Sequence, residues 1–139
     1  MRPDEARRAD TRAWLEKARR DIESARHALT ASQPLRDDAA FHCQQAAEKA
    51  LKAFLAWNDV PFRKTHSLEE LGRQCCNIAP ALRPLVDEAA PLSEYAWGFR
   101  YPGPVDAPTA DEIGQAMSVA SRVVAEIRAR LPADVLPQG

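Results

Sequence analysis

The prolines constrain this chain more than any other residue. There are eleven, and they leave four long proline-free windows, at 4–33, 35–60, 62–79 and 109–131. Between the last two windows they come thickly, at 80, 84, 91, 102, 104 and 108. A proline inside a helix removes a backbone donor and clashes with the preceding turn, at a cost of about 3 kcal/mol. Long helices are therefore confined to the windows. The apolar residues are mostly Ala, Leu and Val, and Gly is scarce at five, an alphabet that favours helix over strand.

Each window carries one apolar face at helical spacing. Trp14, Leu15, Ala18, Ile22, Ala25 and Leu29 fall within a wedge of about 100° in the first. Ala40, Cys43, Ala47, Ala50, Leu51, Phe54 and Leu55 share a face in the second, and Ile113, Met117, Ala120, Val124, Ile127 and Leu131 in the fourth. Thr109 with Glu112 three residues on predicts a capping box at the start of the last helix, and Pro132 its stop. Ser67 with Glu70 predicts a second box, opening a shorter helix with Leu68, Leu71 and Cys75 inward. The proline-rich stretch reads as a short helix near 81–90, a helical turn or two near 92–100, and a loop.

Four amphipathic helices joined by short connections, with no convincing strand, make an all-α, antiparallel (up-and-down) four-helix bundle with an additional short helix. A chain of 139 residues suits one domain, read here as 1–131, with 132–139 a short flexible C-terminal tail. No apolar run is long enough for a membrane span, and the charged N-terminus lacks the apolar stretch of a secretory signal. Nineteen basic residues against 20 acidic ones, net −1, exclude a polycation, so any nucleic-acid site must be a local patch. Three cysteines, two of them adjacent, predict buried reduced thiols in a cytoplasmic protein rather than a disulfide framework or a zinc site. No metal or other cofactor is expected.

Three stretches could carry chemistry. Four of the nine aromatics lie between Tyr95 and Tyr101 around one arginine, Arg100, beside Pro102-Gly103-Pro104. Such a group suits a phosphate or a base through bidentate contacts and stacking, or else closes the bundle end with Arg100 capping a helix. On the second helix His42, Gln45, Lys49 and Lys52 form a stripe, with Glu48 at its edge, that could hold a polyanion or move a proton. The ordinary expectation for such a stripe is a solvated face. His66, beside Arg63 and Lys64, precedes a helix start that favours anions, or is a turn histidine bonding to backbone. The arginines of the first helix (Arg8, Arg12, Arg19, Arg26) share a side but are flanked by Glu16 and Glu23, as on a solvated face or a partner surface.

Phe41-His-Cys-Gln-Gln-Ala-Ala-Glu-Lys-Ala-Leu-Lys-Ala-Phe-Leu55, then Thr65-His-Ser-Leu-Glu-Glu-Leu71, then Phe99-Arg-Tyr-Pro102 resemble, in order and spacing, the HEPN domain (higher eukaryotes and prokaryotes nucleotide-binding). The resemblance runs from about residue 12 to about residue 130. It implies an up-and-down helical bundle, usually a homodimer, often paired with a minimal nucleotidyltransferase as two halves of a toxin–antitoxin-like system. Other members are metal-independent ribonucleases with an Arg followed four to six residues later by a His. Arg100 matches that arginine, but Pro104, Val105 and Asp106 fill the window and no histidine follows. The expectation is a domain binding a nucleotide or RNA phosphate through Arg100, Tyr101, His42, Gln45, Lys49 and Lys52, without standard nuclease activity. The alternatives are a non-standard ribonuclease using Arg100 with His42 or His66, and a scaffold that docks a partner on the arginine stripe or the apolar end loop.

Overall fold

The computed structural model describes residues 3–96 and 107–137. Among these residues five α-helices follow one another: α1 (Pro3–Leu29), α2 (Arg36–Trp57), α3 (Leu68–Ile78), α4 (Arg83–Ala89) and α5 (Ala110–Ala129). Short 3-10 turns lie at Pro80–Leu82, Ala90–Ala96 and Ala133–Val135, and no strand occurs among the described residues. The protein is thus all-helical, with α4 the additional short helix. No described helix is long and apolar enough to cross a membrane.

The helix ends explain the elements. Thr109 and Glu112 form the expected reciprocal capping box on α5. Only half of the second box forms. Ser67 accepts from the Glu70 N–H, but Arg63 takes the Glu70 carboxylate at 2.7 Å and the Ser67 N–H goes to Thr65. At the end of α2 the Val60 N–H reaches Leu55 O and the Asp59 N–H reaches Ala56 O, with Asp59 at φ 56°. That paired arrangement with a left-handed residue is a Schellman stop, and it turns the chain towards Phe62 and His66.

Helix α2 is the hub. It packs against α1, α3, α5 and the Ala90–Ala96 turn. Its apolar face is buried throughout, with Cys43, Ala47, Ala50 and Leu55 fully enclosed. Cys43 Sγ meets Met117 Sδ at 3.3 Å, so α2 and α5 run start beside start. Arg8 and Arg12, early in α1, reach Asp134, beyond the end of α5, so α1 and α5 are antiparallel. The residues after Pro132, read from sequence as a tail, lie against the bundle as far as they are described: Val135 is fully buried and Leu136 packs on the core. All three cysteines are free and buried.

Candidate functional site

The stripe on α2 is not a solvated face. Gln45, Glu48 and Lys52 are buried, as is the neighbouring Gln44, while His42 and Lys49 are partly covered. The face is enclosed because α1 and the segment before α3 close over it. Buried charge is tolerated only where it is paired and hydrogen-bonded. Here two carboxylates meet that need.

Asp21, from α1, is the first. Its Oδ1 lies 2.8 Å from His42 Nδ1, and its Oδ2 accepts from Lys49 Nζ at 2.6 Å. His42 and Lys49 are seven residues apart, two turns of α2, so a single carboxylate can span both. Glu48, from α2 itself, is the second. Its Oε1 lies 2.8 Å from His66 Nδ1 and accepts from Gln44 Nε2 at 3.0 Å, and its Oε2 accepts from Lys52 Nζ at 3.0 Å. The two clusters therefore share one plan, a carboxylate with a histidine on one oxygen and a lysine on the other.

The second cluster is stitched to its surroundings. Gln44 Nε2 also donates to His66 O at 3.1 Å, and Gln45 Nε2 donates to Gln44 Oε1 at 2.6 Å. Lys52 Nζ sits 5.3 Å from the Trp14 ring and 5.8 Å from Phe62, two rings packed edge to face. Burial by itself would push the Glu48 carboxyl up. Hydrogen bonds from Gln44, His66 and Lys52 outweigh that and hold it below the usual range.

In neutral form a histidine that gives its Nδ1 proton to a carboxylate is left with Nε2 as its basic nitrogen. His42 stands at the rim of a groove of about 750 Å³ that Arg19, Arg20 and His27 also line, with Glu23 and Asp38 opposite in charge. Arg19 is held by Glu16 and Glu23, whereas Arg20 is exposed and makes no ion pair among the described residues. Among the described residues no cluster of His, Cys, Asp and Glu could hold a metal ion.

The sequence-derived candidates thus separate into groups. His42 and Lys49 are joined by Asp21. Lys52 and His66 are joined by Glu48, and Gln45 reaches that cluster through Gln44. His42 and His66 belong to different clusters, one on Asp21 and the other on Glu48. Arg100 and Tyr101 lie outside the described residues. Asp21 escaped the sequence reading because it is one carboxylate among several on a charged helix, and nothing local marks it as facing α2. Glu48 lay within the stripe, and its i,i+4 spacing from Gln44 and to Lys52 was a readable signal.

The family model of the HEPN domain matches residues 11–130. Among solved structures, TT1696 from Thermus thermophilus is similar at 26% identity and a TM-score of 0.75, covering 88% of this chain and 99% of that one. ST0689, described as an archaeal HEPN homologue, shares the fold at 23% identity and a TM-score of 0.68, covering 86% of this chain and 96% of its own. No curated protein matches this chain.

Proposed function

The chain belongs to the HEPN domain family, and on that premise we propose that it binds a nucleotide or an RNA phosphate, acting as one half of a toxin–antitoxin-like pair with a minimal nucleotidyltransferase. The observation that supports the ligand most directly is His42, held by Asp21 at the rim of a groove to which Arg19, Arg20 and His27 contribute. Guanidinium and imidazole groups around a groove suit a phosphate through charge-assisted hydrogen bonds. Arg100, which matches the family's motif arginine, is the second anchor of this reading, with Tyr101 beside it. Lys49 and Lys52 serve the reading indirectly: each is tied to a carboxylate and stiffens the face that carries His42.

Calorimetry with nucleoside triphosphates and a short oligoribonucleotide tests the ligand. Heat is expected for at least one, weakened by Arg100→Ala and by His42→Ala. Silence for every ligand removes this half of the proposal. Co-expression with a nucleotidyltransferase encoded beside this chain tests the pairing, which predicts that the two co-purify and that one relieves the other's growth inhibition. Sedimentation of the purified chain tests the homodimer.

The carboxylate-held histidines favour one further reading, a non-standard ribonuclease. Cleavage through the 2′-hydroxyl needs a base, and a histidine oriented by Asp21 or Glu48 has the right chemistry. Arg100 would stabilise the charge developing on phosphorus. RNA left intact after prolonged incubation with the purified protein rejects it. Decay abolished by His42→Ala or His66→Ala supports it.

A further inference from the structure

Of the four arginines on one side of α1, three are committed. Arg8 and Arg12 hold Asp134, and Arg19 is clamped between Glu16 at 2.6 Å and Glu23 at 3.0 Å. Arg26 is exposed and makes no ion pair among the described residues. It stands beside a groove of about 650 Å³ between α1 and α5, and Arg128 of α5 lines the same groove, likewise without an ion pair among the described residues. The floor is apolar, formed by Ile22, Val124 and Leu136. Ser121, Ala125 and Ala129 follow at four-residue intervals along α5, one row of small side chains that leaves room for close approach.

We propose that this groove docks an acidic amphipathic helix of a partner protein. The charge argues for it. Three arginines line the groove against one glutamate, Glu23, which Arg19 already neutralises, in a chain whose net charge is −1. The α1 residues involved, 19 to 26, span about 10 Å at 1.5 Å per residue, the length of two helical turns. A helix laid between antiparallel α1 and α5 would set apolar side chains on Ile22, Val124 and Leu136. Its flanking carboxylates would reach the Arg26 and Arg128 guanidiniums, which pair with carboxylates bidentately.

Two other occupants fit less well. Among the described residues no aromatic side chain lines the groove to stack on a nucleic-acid base. A second copy meeting it face to face would bring arginines against arginines, because a two-fold contact pairs the same patch with itself. The inference needs neither the nucleotide nor the nucleotidyltransferase of the proposed function. It describes the chemistry of a partner, and calorimetry with nucleotides can fail while it stands.

The probe is a three-turn helical peptide with Leu at i, i+3, i+4 and i+7 and Glu on both flanks, titrated into the full chain labelled with nitrogen-15. A twin peptide carrying Lys for Glu serves as control. Amide shifts are expected at Ile22, Ala125, Ala129 and Leu136, with the Lys twin about tenfold weaker or worse. Arg26→Glu with Arg128→Glu should reverse that preference, a gain of binding that also proves the variant folded. Ala129→Trp, at an exposed position, should fill the groove and abolish binding. Four results overturn the proposal: no binding of the Glu peptide at millimolar concentration, equal affinity for both peptides, shifts confined to another face, or displacement of the peptide by oligouridylate.

Discussion

Glu48 offers the sharpest test of the buried polar face. Glu48→Gln keeps the shape of the side chain and removes its charge. Lys52 is then left buried beside Trp14 and Phe62 with no other counter-ion among the described residues. Breaking one partner of a buried pair costs about 3–5 kcal/mol. The two rings retain part of the attraction to the ammonium, about 0.5–2 kcal/mol, which places the expected loss near ~3 kcal/mol. With a urea dependence of about 1–3 kcal/mol per molar, the unfolding midpoint should fall by about 1–3 M. Adding Lys52→Met should restore much of the loss, since it removes the buried ammonium that Glu48→Gln leaves unpaired. The pH dependence has a definite sign. The folded-state pKa of Glu48 is lowered, so its contribution is fully present above the ordinary value of 4.5 and is lost as pH falls through the lowered one. Urea melts followed by circular dichroism from pH 7 down to pH 3 should show the gap between wild type and Glu48→Gln closing on the acid side. A loss under about 1 kcal/mol at neutral pH would refute the reasoning, as would a double variant less stable than Glu48→Gln alone.

Three further outcomes are expected. Gly72→Ala would put a Cβ 2.2 Å from Val86 Cγ1, where α3 meets α4; calorimetric melts should show a loss of about 1–3 kcal/mol despite the better helix propensity of alanine, relieved in part by Val86→Ala. Asp59→Gly should stabilise the chain by about 0.5–1 kcal/mol, read from the urea midpoint, because Asp59 holds φ 56° where glycine carries no steric penalty. Burial pushes the Cys43 and Cys75 thiols up to about 12, with the adjacent Cys76 adding to the effect at Cys75; alkylation with iodoacetamide at pH 8, followed by mass spectrometry, should find both unmodified until denaturant unfolds the chain.

Much of the candidate site was visible in the chain, but its surroundings were not. His42, Gln45, Lys49 and Lys52 announce themselves by spacing alone, because helical periodicity puts them on one side of α2. Spacing says which residues share a side, and it does not say what covers that side. A stripe of His, Gln and Lys opposite an apolar face looks solvated unless another element brings carboxylates to it. Here α1 brings Asp21, twenty-one residues before His42, and the turn ahead of α3 brings His66, eighteen residues after Glu48. The Ser67 box shows the same limit on a smaller scale. The pattern for reciprocal capping is present, but Arg63 competes for the Glu70 carboxylate and only half of the box forms.

What the amino-acid order determined by itself is the set of helices. Proline placement, apolar periodicity and the Thr109 cap are local properties, and local physics is enough to set where a helix starts, stops and turns its greasy side. The family follows as well, since three short blocks carry it. Partnership between side chains distant in the chain was decided by the tertiary structure: Asp21 with His42 and Lys49, Arg8 with Asp134, and the four arginines on one side of α1 sorted into Arg8, Arg12 and Arg19, which are occupied, and Arg26, which makes no ion pair among the described residues. A pairing of charges depends on distances in three dimensions, and those exist only once α1 has packed on α2 and α5 has returned alongside it.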